Sequence, residues 1–211
     1  MFLYDFASKF RLRGKVLEVG GGCGVLSLLL KRDFEDLNVT VIEKQEEMYK
    51  FLVKNIKENS LDMQALRGDF LEWEFEGKFD FIITNPPFYN GSLKSENEIL
   101  KVARYEEYLP MKAFFQKANS LLSERGEIIM CYDSKRIDDI ILNLPKPLKM
   151  TDLRFMYPRI TKNATLLLTR LKRHAKSAVT IHPPLIGFEG ADYSDEASKI
   201  YKKAACKSVK I

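Results

Sequence analysis

The sequence predicts an α/β fold in which helices cover both faces of a mostly parallel sheet. Three observations carry that prediction. Short apolar runs alternate with longer amphipathic stretches, Lys15–Val19, then Val25–Arg32, then Val39–Glu43, then Gln45–Glu58, which is the rhythm of strand, crossover helix and strand. Phe79–Thr84 (FDFIIT) and Glu127–Cys131 (EIIMC) are continuous apolar runs, as strands buried on both faces require. Lys15–Gly24 (KVLEVGGGCG) takes a strand straight into glycines and then into a helix, the kind of turn at which open parallel sheets hold ligands.

In order, strands are expected near 15–19, 38–43, 63–67, 79–84, 126–132, 149–156 and 164–171, and helices near 2–9, 24–33, 45–58, 110–123 and 134–143. Ser134 is placed to cap the last of these helices, and the Leu144-Pro145 step ends it. Residues 90–104 (NGSLKSENEILKVAR) are polar without clean periodicity and read as a loop carrying a short helix. Beyond Arg173 the pattern weakens. His182-Pro183-Pro184 should break any element, and Ser194 followed by Glu196 and Ala197 can start a terminal helix. The expected organisation is one domain over 1–173 with a C-terminal extension, 174–211, packed on it.

A chain of 211 residues with 45% hydrophobic content is long enough for one sizeable core and short for two. It contains no apolar run of the ~18 residues a membrane-spanning helix needs and no signal segment, so a soluble, cytoplasmic protein is expected, without a membrane partner and as a monomer. Cys23, Cys131 and Cys206 are far apart and odd in number, which argues against a disulfide framework and against a metal site. Charge is distributed unevenly. Residues 1–100 hold 13 Lys and Arg against 17 Asp and Glu, whereas residues 101–211 hold 21 against 12. A basic half beside an acidic one suggests a polyanion-binding face, since Lys and Arg gain affinity by displacing counterions from phosphates; solvated surface charge is the plainer alternative.

In the glycine loop, a side chain at Gly20, Gly22 or Gly24 would obstruct both the tight turn and the approach of a nucleoside to the backbone. Such loops serve dinucleotide oxidoreductases and methyltransferases alike. Glu43 ends the second strand 19 residues after Gly24, where an acidic side chain can accept both hydroxyls of a ribose. A helix-capping role for Glu43 is the alternative, because Glu46 and Glu47 follow it. Asp69, in Arg67-Gly68-Asp69-Phe70, can reach an adenine amino group or serve as an ordinary turn aspartate.

Directly after FDFIIT comes Asn85-Pro86-Pro87-Phe88-Tyr89. It resembles the Asn/Asp-Pro-Pro-Tyr/Phe signature of amino-methyltransferases, and it is the most specific feature of the chain. A nitrogen conjugated to a ring or carbonyl is a poor nucleophile, because its lone pair is delocalised. If the Asn85 side-chain oxygen and the Pro86 carbonyl accept its two N–H bonds, the lone pair turns toward a donated methyl. Acceptors aimed at the developing positive charge favour the transition state over the ground state. Pro86 and Pro87 restrict the backbone, and Phe88 can stack on a planar base drawn out of its helix.

Taken together, Glu18-Val19-Gly20-Gly21-Gly22-Cys23-Gly24, Glu43, Gly68-Asp69-Phe70 and Asn85-Pro86-Pro87-Phe88-Tyr89 resemble the class I methyltransferases. Ala103-Arg104-Tyr105-Glu106 and His182-Pro183-Pro184-Leu185 narrow the resemblance to the bacterial tRNA1(Val) adenine-37 N6-methyltransferases, over nearly the whole chain. The resemblance implies a Rossmann-like, doubly wound seven-stranded sheet whose last strand is antiparallel, S-adenosyl-L-methionine as donor, and an adenine N6 in tRNA as acceptor. It assigns Glu18, Gly20, Gly22, Gly24, Glu43, Lys44, Asp69, Phe70 and Asn85 to the cofactor, and Asn85, Pro86, Pro87 and Phe88 to catalysis. Tyr89, Arg104, Arg159, Lys162, Arg170, Lys172 and Arg173 are candidate RNA contacts, with Tyr105 beside the base; His174 and His182 receive no catalytic role. In the family a further segment precedes the first helix, whereas this sequence opens at Met1-Phe2-Leu3-Tyr4 within it, implying either a start placed elsewhere or a less enclosed pocket. Rival readings are a guanine-N2 rRNA enzyme, a glutamine-amide enzyme acting on a release factor, and a non-catalytic RNA-binding module.

Overall fold

The computed structural model describes residues 1–86 and 109–205. The expected loop of 90–104 and the candidates Pro87, Phe88, Tyr89, Arg104 and Tyr105 lie outside the described residues, as does Cys206.

The described chain runs α1 (Phe2–Ser8), β1 (Lys15–Val19), α2 (Val25–Asp33), β2 (Asn38–Glu43), α3 (Glu46–Glu58), β3 (Met63–Arg67), β4 (Phe79–Thr84), α4 (Met111–Leu121), β5 (Leu122–Asp133), α5 (Ile137–Asn143), β6 (Leu148–Tyr157), β7 (Leu166–Arg173), four two-residue strands β8 to β11, and α6 (Asp195–Ala204). Seven strands form the body of the sheet in the order β3-β2-β1-β4-β5-β7-β6. Pairing is parallel from β3 to β5, and β7 runs antiparallel to both of its neighbours. This is the doubly wound sheet with an antiparallel last strand, and β8 (Thr180–Ile181) and β9 (Leu185–Ile186) extend its β6 edge.

The apolar runs are continuous because both faces of the sheet are covered. Consecutive strand residues fall into different cores: Leu17, Ile82 and Ile128 pack with Phe114 and Phe115 of α4, whereas Val16, Phe81 and Ile129 pack with Tyr4 and Phe6 of α1 and Leu30 of α2. The edge strand β3 is buried on neither face throughout.

Two boundaries differ from expectation. Ser134 does not cap a helix over 134–143: residues 134–136 form a single 3₁₀ turn capped by the Asp133 side chain, and the α-helix begins at Ile137. The Ser134 hydroxyl instead donates to the Ala164 carbonyl at 2.6 Å, so it serves the entry to β7 rather than the helix. β5 also starts at Leu122, ahead of the expected 126, because a register shift between Phe79 and Phe81 lets the residues before Gly126 pair with β4. The terminal helix α6 is capped as anticipated, with Ser194 Oγ accepting the Ala197 amide at 3.1 Å.

Candidate active site

β1, β2 and β4 finish side by side on the carboxyl rim. Val19 is in register with Ile42 on one side and Thr84 on the other, so Gly20 and Asn85 are the first residues past the sheet on adjacent strands, about 5 Å apart in the pairing direction. The Thr84 hydroxyl donates to the Val19 carbonyl at 2.9 Å, tying the two strand ends together beneath both loops. Nothing in the sequence pattern singled out Thr84; its position as the last strand residue before Asn85 is the only signal.

The loop from Gly20 to Gly24 turns through positive φ at Gly20, Gly22 and Gly24 (+68°, +56° and +85°), a conformation that L side chains rarely adopt. A Cβ on Gly20 or Gly22 would have nothing within 4 Å. The loop therefore presents open backbone on the side a ligand would approach. Gly24 faces inward, where a Cβ would lie 2.4 Å from Leu52 Cδ1.

Three carboxylates hold this rim. The Gly22 amide donates to Glu43 Oε2 at 2.7 Å and the Gln45 amide to Oε1 at 2.8 Å, so Glu43 fixes the loop and the start of α3 at once. Each of its oxygens keeps a second lone pair, available to a hydroxyl donor. Glu18, buried beneath the loop, accepts the Ser27 amide at 3.2 Å. It does for α2 what its N-cap, Gly24, has no side chain to do. Burial pushes the Glu18 carboxyl up to about 7, the bonds from Ser27 opposing the shift and the charge of Glu43 adding to it. Asp69 accepts the Leu71 amide at 2.8 Å and pairs with Lys44 Nζ at 2.7 Å, the arrangement of a turn aspartate with an ionic partner.

Among the remaining site candidates, Asn85 is exposed at the rim and Pro86 is buried. The Phe70 ring is 4% exposed and packs against Phe114 and Phe75, with ring centroids 5.7 and 5.9 Å apart; its side chain belongs to the core between the β3–β4 connection and α4 rather than to an open pocket.

The candidate RNA contacts are divided by the antiparallel course of β7. Arg159 and Lys162 lie in the turn after β6, on the carboxyl rim, with Arg159 over the Phe188 ring at 5.6 Å. Arg170, Lys172 and Arg173 run to the opposite, amino rim. There Arg170 forms two bonds to Glu127 at 2.6 and 2.7 Å, Lys172 joins the same carboxylate at 3.0 Å, and Arg173 donates to the Leu122 carbonyl at 3.1 Å. The structure does not bring these three to the site. His182-Pro183-Pro184-Leu185 is an anchor. His182 Nε2 lies 2.9 Å from Asp152, the Pro183 carbonyl accepts from Arg154, Leu185 is fully buried, and Arg154 grips Glu196 of α6 through two bonds of 2.7 and 2.8 Å.

The family model described as "Methyltransferase small domain" matches residues 1–144. The chain is 25% identical over 175 residues to the tRNA1(Val) (adenine(37)-N6)-methyltransferase of Flavobacterium psychrophilum, covering 79% of this chain and 74% of that protein. It is 28% identical over 187 residues to the like-named protein of Christiangramia forsetii, covering 85% and 71%. The crystal structure of a predicted O-methyltransferase from Agrobacterium tumefaciens aligns over 93% of this chain and 92% of its own, with a TM-score of 0.70 and 16% identity, a likeness of fold.

Proposed function

The chain belongs to the methyltransferase small-domain family, and on that premise we propose that it transfers a methyl group from S-adenosylmethionine to the N6 amine of an adenine in tRNA. The observation that carries this reading is the pairing of Val19 with Thr84, which makes the glycine loop and Asn85 neighbours across one strand spacing. A donor site and an amine-positioning group must adjoin for direct transfer.

The cofactor, when bound, supplies an electrophilic methyl on a sulfonium. The residues of this chain do the rest. The open backbone of Gly20 and Gly22 receives the donor, Glu43 accepts ribose hydroxyls with its free lone pairs, and Asp69 faces the adenine end with Lys44 balancing its charge. Asn85 Oδ1 and the Pro86 carbonyl accept hydrogen bonds from the two N–H groups of the target amine, which localises its lone pair and stabilises the positive charge that grows on nitrogen until a proton leaves after transfer. Phe88 stacks on the base. Arg159 and Lys162, on the same rim, contact the RNA backbone beside it. The names of the relatives support adenine N6 in tRNA over guanine N2 or a glutamine amide, and the basic carboxyl half supports RNA over protein.

The test is to incubate the protein with S-adenosylmethionine and unmodified tRNA transcripts, digest to nucleosides and identify the product. N6-methyladenosine is expected. Methylguanosine would redirect the reading to another acceptor, and failure to bind S-adenosylmethionine by calorimetry would reduce the chain to a binding module.

A further inference from the structure

The amino rim of the sheet, opposite the loops that hold the candidate site, contains a cavity of about 790 Å³. Its walls carry Lys9, Arg11, Arg13, Arg125, Arg170 and Lys172 against two carboxylates, Asp80 and Glu127. The cations fall into two sets. Arg170 and Lys172 are paired with Glu127, Arg170 also with Asp152, and the Arg170 guanidinium is stacked 4.3 Å from the centre of the Phe10 ring, while Lys9 pairs with Asp5. Arg11, Arg13 and Arg125 are exposed and make no side-chain hydrogen bond or ion pair among the described residues. They come from distant parts of the sequence, the α1–β1 connection and the bulged start of β5, so only the fold assembles them. A second cavity of about 410 Å³ shares Arg170 and Lys172 and adds Lys176 and His174, continuing the groove along this rim.

We infer that this groove is a second RNA-binding surface, one that grips the phosphate backbone of the substrate far from the nucleotide being methylated. The inference rests on the proposed reading of the chain as an RNA methyltransferase. Planar guanidiniums without a partner match phosphate oxygens in pairs, and a concave basic wall concentrates a polyanion better than scattered surface charge does. The unpaired guanidiniums of Arg11, Arg13 and Arg125 bind phosphate rather than base edges, so they position RNA without selecting sequence. The six residues of β4 separate the two rims by about 20 Å. An RNA whose target base is held at the carboxyl rim reaches the groove only if it extends past the side of the sheet. A stem-loop of a few base pairs around the target does not, whereas a complete folded tRNA has the length to do so. The groove thereby makes the enzyme sensitive to the body of its substrate as well as to the target loop.

The test compares a full-length tRNA transcript with its isolated anticodon stem-loop, using the unmodified protein and an Arg11→Gln/Arg13→Gln/Arg125→Gln variant. Affinity is measured by fluorescence anisotropy over a series of KCl concentrations, and methyl transfer is measured on both RNAs. Lost phosphate contacts should flatten the salt dependence for full-length tRNA by roughly 2 to 3 in the log–log slope and weaken its binding roughly 10-fold or more. Binding and methylation of the stem-loop should stay unchanged. An equal loss for both RNAs, or none for either, overturns the inference. Absence of methyl transfer by the unmodified protein counts against the reading of the active site alone; a flattened slope for full-length tRNA would still support the groove.

Discussion

At the carboxyl rim the fixed charges are carboxylates held by main-chain amides: Glu18 by Ser27, Glu43 by Gly22 and Gln45, Asp69 by Leu71. At the amino rim cations outnumber the carboxylates Asp80 and Glu127, and Arg11, Arg13 and Arg125 are held by nothing among the described residues. A carboxylate turned inward and bonded to backbone fixes a loop, at the expense of its own hydration. An exposed guanidinium without a partner fixes nothing and stays available to a polyanion. One end of the sheet is thus organised to hold small groups in fixed geometry and the other to attract a large partner loosely. Substitutions at the two rims should fail in different measurements.

The largest effect is expected where chemistry is concentrated. Asn85→Ala should lower turnover by roughly 10²-fold or more, as loss of one oriented polar group at a reacting centre does, while leaving S-adenosylmethionine affinity nearly intact by calorimetry. Turnover close to that of the unmodified protein would remove Asn85 from the chemistry.

Next comes the pH dependence set by Glu18. Its carboxyl is pushed up to about 7 in the folded protein, whereas in the unfolded chain it ionises in the ordinary glutamate range. The unfolded state therefore releases its proton first, and stability falls as pH rises from the ordinary range to about 7, with no further change above. Glu18→Gln should remove that slope, so the stability difference between the variant and the unmodified protein should move in the variant's favour by up to about 3 kcal/mol from pH 4 to pH 8. Denaturant midpoints of both proteins between pH 4 and 8 measure the difference, and parallel curves would place Glu18 in a wetter site than the one described.

Glu43→Gln should act more mildly and on binding. An amide has one acceptor oxygen, so either Gly22 or Gln45 would face an N–H instead of an oxygen. Leaving one such donor unmatched costs about 1–3 kcal/mol, which should appear as a roughly 10-fold loss of S-adenosylmethionine affinity with little change in turnover at saturation. An unchanged affinity would mean that the loop keeps its form without this anchor.

The two rims were unequally legible in the sequence. Every element of the carboxyl rim is local: a strand, its glycines and Asn85 each sit in one short segment, so the strand ends and the loop could be read from periodicity and composition. What periodicity does not give is strand order, and the antiparallel return of β7 carries Arg170, Lys172 and Arg173 away from the site that a linear reading gathers them around. Phe70 is a similar case, since a ring following an aspartate at a strand end can serve a ligand or the core, and its packing against Phe114 of the distant helix α4 decides it. Arg11, Arg13 and Arg125 were unreadable as a group, because more than a hundred residues separate Arg13 from Arg125. Local pattern misplaces Ser134 for a related reason: its competitor for the cap, Asp133, is adjacent, and its true acceptor, Ala164, is supplied by a distant turn.

The smallest predicted effect bears most directly on why the amino-rim arginines are there. Replacing Arg11, Arg13 or Arg125 singly with Gln should move the unfolding free energy by no more than about 0.5 kcal/mol, the usual range for surface positions without a bonded partner. Urea denaturation at low and moderate salt measures this, and removing one of several like charges from a crowded wall should, if anything, stabilise the protein slightly at low salt. Glu127→Gln is the contrasting control on the same rim, since it strips the buried carboxylate paired with both Arg170 and Lys172 and should destabilise clearly. Unfolding costs of several kcal/mol for the single arginine variants would mean that those side chains are structural after all, and the groove would then be a by-product of packing. Near-neutral values leave the three guanidiniums without a role in folding, which is the condition under which their convergence on one cavity calls for a partner.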